Sequence, residues 1–264
     1  MSSRLTTRAA ATLAIPRPPR VVPDTLPRIY AYDHCPYCVR VRVGLGLKNI
    51  KHEIAFMAND DFETPTKLIG KKIAPIYEQP DTGFIMGESM DIVKRFDADE
   101  AYGATGLFVP ATGRADIKAW QKSVKDLLRL LHRPRYMQAG LPEFQQKDGR
   151  TYFISSHPVP PFDKPEWKAD EFGQAKREDE YAKAMAQTPE LLPQLNAALA
   201  DLEGLIFSDQ HCSESGLGYD DIDLWSRLRS VTLVDGAKFG PKTLAYLQNL
   251  ESAADVPLYF SMKC

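Results

Sequence analysis

Two cysteines, Cys35 and Cys38, lie three positions apart in the run DHCPYC at residues 33–38. Pro36 suits the first position of a helix, where its missing N–H is not needed and its fixed φ fits. Cys35 would then stand at the helix N-terminus, whose partial positive charge favours a thiolate, the form of cysteine that attacks a disulfide. Cys38 falls about one turn deeper on the same face, where it can attack a mixed disulfide at Cys35. The spacing therefore predicts thiol–disulfide chemistry.

A C-x-x-C pair can also bind a metal or attach haem. Haem attachment requires His directly after the second cysteine, and Val39 is there instead. A structural zinc site needs a second pair of ligands, and the other thiols, Cys212 and Cys264, are far away and do not form a pair. The redox interpretation is therefore preferred over a metal site or inert packing, and no metal is expected.

The composition argues against several other classes of protein. A chain of 264 residues, 44% hydrophobic, can bury one or two ordinary cores. A formal net charge of -2 gives no electrostatic case for nucleic acid, and no apolar run approaches the ~20 residues that span a bilayer. Four cysteines without a secretory apolar segment favour a reducing compartment over a disulfide framework. We expect no nucleic-acid partner and no membrane association.

Residues 1–27 differ in composition from the rest of the chain. Four arginines precede the first acid, Asp24, and serines, threonines and five prolines fill much of the remainder. This is the composition of an organelle transit peptide, although the prolines would break any amphipathic helix after Ile15. A start codon placed too far upstream is a further explanation. The segment is predicted to be a disordered tail or a transit peptide.

The elements that must hold the two cysteines alternate between strand and helix patterns. Strands are predicted near 28–32, 51–56, 73–78 and 84–86, with helices after Cys35, before Gly70 and from Ser89, which suits an N-cap. Pro75 lies inside the third strand, where proline is tolerated if its bond is cis or if the strand begins there. The order is β-α-β-α-β-β-α over residues 28–98.

This order, with CPYC after the first strand, resembles the thioredoxin-fold glutaredoxins. The runs YDHCPYC, GLKNI, NDDFETPTKLIG, AP and ESMDIV resemble the bacterial type-two glutaredoxin family, which has the shape of a glutathione transferase. The resemblance covers about residues 28–264. It implies an α/β thioredoxin-like N-terminal domain followed by an all-α glutathione-transferase-like C-terminal domain.

The resemblance also implies roles for residues around the dithiol. Cys35 would be the nucleophile and Cys38 the resolving thiol. The Ala74–Pro75 bond would be cis, with the Ala74 backbone pairing the cysteinyl part of glutathione like a short added strand. The family usually has Val where Ala74 stands, and since the expected contacts are made by backbone, only packing should change. His34 could stabilise a thiolate at Cys35, but an exposed loop histidine is the preferred interpretation.

The resemblance implies further glutathione contacts at the helix predicted from Ser89 and in the CPYC run. Ser89 and the free N–H groups of its helix would bind the γ-glutamyl carboxylate, and Glu88 would pair with the α-amino group. Tyr37 would flank the bound peptide. Lys71 or Lys72 could meet the glycine carboxylate, although a solvated surface charge is an equally good interpretation.

The second half of the sequence is predicted to be a separate helical domain. Residues 99–113, with three glycines and a proline, predict an interdomain linker, and residues 114–264 predict an all-helical domain. A repeat of apolar residues at intervals of three and four predicts a long helix that Pro134 ends or kinks. Five prolines within residues 140–166 predict a long irregular segment. Asp221, three residues after Gly218, predicts a capping box before another helix.

Together these features predict a glutathione-dependent thiol–disulfide oxidoreductase, a glutaredoxin that reduces protein–glutathione mixed disulfides and protein disulfides. Glutathione would be its co-substrate, with no bound cofactor, and glutathionylated or disulfide-containing proteins its partners. A cytoplasmic monomer is expected, or a protein of the mitochondrion or another organelle if residues 1–27 are a transit peptide.

The sequence is also compatible with two other functions. The helical domain could hold the hydrophobic co-substrate of a glutathione transferase or dehydroascorbate reductase. Transferases that conjugate usually use Tyr or Ser near the first helix, whereas this chain offers a dithiol. An iron–sulfur carrier could use Cys35 and glutathione across a dimer, but Pro36 disfavours this function in related glutaredoxins.

Overall fold

The computed structural model describes residues 15–264, and a four-stranded mixed sheet forms the centre of the first half. The strands are β1 (Arg28–Ala31), β2 (Glu53–Phe56), β3 (Ile76–Gln79) and β4 (Phe84–Met86). They lie in the order β2-β1-β3-β4. The β1–β2 pair is parallel, whereas the β1–β3 and β3–β4 pairs are antiparallel.

Three helices complete the first half: α1 (Pro36–Leu47), α2 (Glu63–Ile69) and α3 (Ser89–Ala98). The predicted β-α-β-α-β-β-α order is therefore confirmed. Helix α1 is buried on nearly all sides, because it packs against both the sheet half and the helical half. Its Gly46 permits this, since a Cβ there would lie 1.8 Å from the carbonyl oxygen of Ala254.

The second half is helical, as predicted. Its longer helices are α4 (Ala115–Ser123), α5 (Lys125–Tyr136), α6 (Lys147–Ser156), α7 (Lys164–Lys168), α8 (Gln174–Ala186), α9 (Thr188–Leu205), α10 (Tyr219–Leu228) and α11 (Pro241–Ala254). Helices α10 and α11 pack directly on α1. Buried apolar side chains from both halves consequently form one continuous core, and a second, smaller cluster lies within the helical half. The predicted domain boundaries, 28–98, 99–113 and 114–264, stay a prediction.

The prediction of an irregular segment at residues 140–166 is wrong. Helix α6 and the start of α7 lie within it, and they bury Phe153 and Trp167 in an aromatic cluster with α5 and α8. Proline is accepted in the first turn of a helix, and Pro165 is in the first turn of α7. Proline content alone therefore gave the wrong prediction, because most of these prolines lie between short helices or at their ends.

Two local predictions in the helical half can be compared with the structure directly. The apolar repeat predicted a single helix, but the structure divides it at Val124 into α4 and α5, and α5 continues two residues past Pro134. The acidic half of the capping box is confirmed, since the Asp221 carboxylate accepts a hydrogen bond of 2.9 Å from the Gly218 N–H, and glycine has no side chain to form the other half.

Residues 15–27 do not form the disordered tail that was predicted. Val21 makes a parallel bridge with Ile50: its N–H donates to the Asn49 carbonyl at 3.0 Å, and its own carbonyl accepts from the Lys51 N–H at 2.8 Å. The Arg17 guanidinium also donates to the Asn49 side chain at 3.0 Å. This segment therefore packs against the turn between α1 and β2. The remainder of the predicted tail lies outside the described residues, and the transit peptide stays a prediction.

Candidate functional site

Cys35 is the N-cap residue of α1, immediately before Pro36, as the sequence predicted. Its side chain is half-buried and lines a cleft between the sheet half and the helical half. The pKa of Cys35 is lowered to about 6, mainly by a hydrogen bond from the Cys38 thiol, with help from His34 and from the N–H groups of α1, while burial opposes the shift. Much of Cys35 is therefore a thiolate at neutral pH, the form that attacks disulfides.

Cys38 lies one turn deeper in α1 and is fully buried. Its sulfur accepts a hydrogen bond of 3.3 Å from the Tyr32 N–H. Burial raises the pKa of Cys38 well above its ordinary value, and the neighbouring Cys35 raises it further. The two thiols are thus unequal: Cys35 is the more accessible and the more readily ionised, whereas Cys38 is buried, keeps its proton and donates a hydrogen bond to the Cys35 thiolate.

The cleft beside Cys35 has a volume of about 840 Å³. Tyr37 and Ala74, two of the predicted glutathione contacts, line it, and the Ala74–Pro75 bond is cis. Lys72 lines the cleft too, but its Nζ already donates to the backbone carbonyls of Asn59 and Asp61 at 2.6 and 3.0 Å. The other wall comes from α4, α5, α6, α7 and α10 of the helical half.

Glu88 and Ser89 are at the N-terminus of α3, outside the lining of this cleft. Ser89 is not the N-cap that was predicted: it is the first helical residue, and Glu88 takes the N-cap position with a left-handed φ of 66°. The Ser89 hydroxyl accepts a hydrogen bond of 3.3 Å from Arg40, whose guanidinium stacks on the Tyr37 ring at 4.7 Å. Arg40 therefore links the predicted γ-glutamyl contact to the CPYC loop.

His34 is buried, with only 9% of its surface exposed, so the prediction of an exposed loop histidine is wrong. Its Nδ1 lies 2.5 Å from a carboxylate oxygen of Glu143, a residue of the 3-10 turn Pro142–Phe144. The same carboxylate accepts from the backbone N–H groups of Asp33 and His34 at 3.1 and 2.9 Å. The helical half therefore holds the backbone directly before Cys35.

Asp33 is the second anchor of this loop. Its carboxylate is buried, forms an ion pair with Arg42 of α1, and accepts from Arg229 at 3.2 Å and from the Tyr259 hydroxyl at 2.7 Å. Burial alone would raise the pKa of Asp33, but the charges of Arg229 and Arg42 hold it below its ordinary value. Sequence reasoning missed Glu143, Arg229 and Tyr259, because they stand more than 100 residues from the loop and carry no motif of their own.

Metal-binding clusters and membrane-spanning helices are both absent from residues 15–264. In residues 15–264, no group of three or more His, Cys, Asp or Glu side chains is placed to hold a metal ion. Within the same range, no helix combines the length and the apolar character needed to cross a membrane. All four cysteines are free thiols.

Comparison with known families identifies both halves. The model described as "Glutathione S-transferase, N-terminal domain" matches residues 29–104, and the model "Glutaredoxin 2, C terminal domain" matches residues 168–263. Glutaredoxin 2 of Escherichia coli strain K12 is 34% identical over 236 residues, covering 89% of this chain and 99% of that protein.

Solved structures agree with the family models. Glutaredoxin 2 of Salmonella typhimurium, in complex with glutathione, superposes with a TM-score of 0.78 at 29% identity, covering 91% of this chain and all of that one. The β-etherase LigF of Sphingobium, at 15% identity and a TM-score of 0.52, shares the fold alone and covers 89% of this chain and 98% of that one. The fold is a thioredoxin-like domain followed by a helical glutathione-transferase-like domain, as predicted. The chain therefore belongs to the glutaredoxin 2 family and is a glutathione-dependent thiol–disulfide oxidoreductase.

Proposed function

We propose that Cys35 carries the reaction and that its main substrates are protein–glutathione mixed disulfides. The Cys35 thiolate attacks the glutathione sulfur, the protein thiolate leaves and takes up a proton, and glutathione stays bound to Cys35 as a mixed disulfide. A second glutathione thiolate then attacks that glutathione sulfur. Glutathione disulfide leaves, and the Cys35 thiolate is restored.

Cys38 provides a second route. The Cys38 sulfur attacks the Cys35 sulfur of the mixed disulfide, which forms the Cys35–Cys38 disulfide; glutathione leaves and takes up the proton that Cys38 loses. Two further glutathione molecules reduce that disulfide. A substrate protein with its own disulfide follows the same course, with Cys35 attacking first and Cys38 releasing the reduced protein. Cys38 is suited to this step because it is buried next to Cys35, so its attack needs no second molecule.

The observation that carries the proposal is the unequal pair of thiols: a low-pKa Cys35 on the cleft and a buried, protonated Cys38 beneath it. Glutathione would pair its cysteinyl part with the Ala74 backbone and lie against Tyr37, both of which border the cleft. Glu88 and Ser89 would hold its γ-glutamyl end at the start of α3. The related structure in complex with glutathione supports this choice of co-substrate.

Two single substitutions test the roles of the thiols. Cys35→Ser should abolish glutathione-coupled reduction, because a hydroxyl is not ionised near neutral pH and attacks sulfur poorly. Cys38→Ser should keep the reduction of glutathionylated proteins by the one-thiol route and lose the reduction of protein disulfides that needs an internal disulfide. Equal loss of both activities in the two variants would contradict the assignment of nucleophile and resolving thiol.

The cellular setting is also proposed. Four free thiols suit a reducing compartment, and we place the protein in the cytoplasm as a monomer, with an organelle as the alternative if residues 1–27 are a transit peptide. Its partners would be glutathione and proteins carrying mixed or internal disulfides. Nucleic acid and membranes are not expected partners.

A further inference from the structure

The cleft that contains Cys35 has a strongly one-sided charge. The basic residues that line it are Lys72, Lys125, Arg129, Arg133, Lys164, Lys168 and Arg227. Among the described residues that line it, none is Asp or Glu. The whole chain has a formal net charge of -2. The cleft is therefore much more positive than the chain as a whole, and the acidic side chains lie outside its lining.

The basic residues of the helical half follow two helices. Lys125, Arg129 and Arg133 are four residues apart on α5 and therefore share one face, and Lys164 and Lys168 are four apart on α7. At 1.5 Å per residue, the α5 row extends about 12 Å. An extended polypeptide rises about 3.3 Å per residue, so this row matches three or four residues of a peptide. A single small anion would use only part of it.

Some of these basic residues already have a partner within the protein. Arg129 forms an ion pair with Asp126, and Arg227 with Asp223. Arg133 donates to the carbonyl oxygen of Pro158.

Lys125, Lys164 and Lys168 are exposed. No Asp or Glu of residues 15–264 lies within ion-pair distance of them or of Arg133. We call Lys125, Arg133, Lys164 and Lys168 the basic wall. Its charges are available to an incoming ligand.

We propose that the basic wall receives an acidic segment of the substrate protein, next to the cysteine that carries glutathione. This inference rests on the proposed function. With glutathione at the Ala74 side of Cys35, the leaving protein sulfur must lie toward the remainder of the cleft, which the helical half lines. Complementary charge there would raise the rate of encounter and favour substrates whose modified cysteine has Asp or Glu neighbours.

Glutathionylated peptides of equal length test the preference. Each peptide contains one glutathionylated cysteine, flanked by acidic, neutral or basic residues. The kcat/KM of the enzyme is measured for each peptide with glutathione as the reductant. The acidic peptide should exceed the neutral one by about tenfold at low ionic strength and lose most of that advantage at high salt. The basic peptide should be the poorest substrate. The mixed disulfide of glutathione and 2-mercaptoethanol serves as a small reference without a peptide.

Charge-matched variants show whether the wall is responsible. The triple variant Lys125→Gln, Lys164→Gln, Lys168→Gln should lower the acidic-to-neutral ratio at least about threefold. The control Lys51→Gln, Lys118→Gln, Lys238→Gln removes the same charge from exposed positions outside the cleft and should keep the ratio. Because the ratio is taken within each variant, changes at the glutathione site cancel.

The outcomes separate this inference from the proposed function. Failure of the unmodified enzyme to reduce the small mixed disulfide would overturn the proposed function. Reduction of that compound with equal kcat/KM for the acidic and neutral peptides would overturn the basic wall alone. A preference for the acidic peptide that survives unchanged in the Lys125, Lys164 and Lys168 variant would also overturn it.

Discussion

At the scale of single residues, the proposed chemistry depends on two cysteine side chains in different surroundings. Cys35 receives hydrogen bonds from Cys38 and from N–H groups at the start of α1, and the nearby His34 also favours its ionised form. Cys38 is fully buried, and burial and the neighbouring Cys35 raise its pKa although the hydrogen bond from the Tyr32 N–H opposes the shift. A proton therefore stays on Cys38, and the negative charge resides on the sulfur that substrates can reach.

The first prediction concerns the pH dependence of Cys35. Its pKa is about 6, so the rate of alkylation by iodoacetamide should rise through a midpoint near pH 6 and level off above neutrality. In Cys38→Ala the hydrogen bond to the thiolate is gone, so the midpoint should move to higher pH. The rate is measured from pH 4 to 10, with Cys35→Ser as the blank. A midpoint near the ~8.5 of an unperturbed thiol would contradict the structure.

The second prediction concerns Ser89. Ser89→Ala should raise the KM for glutathione about ten- to a hundredfold, because losing a hydrogen bond to a charged group costs about 1.5–3 kcal/mol. Since Ser89 is not the N-cap of α3, the helix itself should lose little stability. Alkylation of Cys35 needs no glutathione and serves as the control. Unchanged glutathione affinity would place the γ-glutamyl site elsewhere, whereas equally slowed alkylation would indicate damage around Cys35.

At the scale of elements, the loop before Cys35 is held mainly by parts of the helical half. The 3-10 turn Pro142–Phe144 presents Glu143 to two backbone N–H groups of the loop. The Glu143 carboxylate is buried, and the hydrogen bond from His34 keeps its pKa below the ordinary value although burial opposes this. The loop before Cys35 therefore depends on a segment that follows it by about a hundred residues.

The third prediction concerns the contribution of residues 15–27 to stability. Two truncated proteins, one beginning at residue 15 and one at residue 28, isolate its contribution. The shorter protein should be less stable by about 1–3 kcal/mol, because it loses two backbone hydrogen bonds to Val21 and the burial of its side chain. Urea unfolding of both proteins measures the difference. Equal midpoints would mean that the contacts of Val21 add nothing to stability.

At the scale of the whole molecule, α1 and the loop before it join the two halves. Helix α1 packs on α3 of its own half and on α10 and α11 of the other. The Arg229 guanidinium and the Tyr259 hydroxyl, both from the helical half, reach the Asp33 carboxylate. Stability of the interface and geometry of the active site consequently depend on the same buried ion pair.

The last prediction follows from that pair. Asp33→Asn should cost about 3–5 kcal/mol of unfolding free energy, because it leaves two buried guanidinium groups without their carboxylate. The pKa of Asp33 is lowered in the folded protein, so its contribution is present above the unfolded value near 3.8 and is lost as pH falls through the folded value. Urea unfolding between pH 2 and 5 should therefore show a steeper acid loss in the unmodified protein than in Asp33→Asn.

An exposed aspartate provides the comparison. Asp201→Asn, in α9, removes the same charge from the surface and should change the unfolding free energy by less than about 0.5 kcal/mol. Equal, small losses in Asp33→Asn and Asp201→Asn would show that the Asp33 ion pair does not hold the two halves together.

Much of the local structure could be predicted because its causes are local. The CPYC run places a thiol at a helix N-terminus through the conformational preference of Pro36, and alternating patterns give the order of strands and helices. The capping box at Gly218 and Asp221 depends on residues three apart. Proline counts failed at residues 140–166, since a proline at a helix end and a proline in a loop look alike in composition.

The sequence by itself determined the dithiol, the order of the elements and the resemblance that places the chain in its family. Only the tertiary structure decided that His34 is buried on Glu143, that Arg229 and Tyr259 hold Asp33, and that seven basic residues meet beside Cys35. The physical reason is distance along the chain. Backbone preferences act over a few residues, whereas buried ion pairs and a shared cleft exist only after helices from both halves have packed on α1.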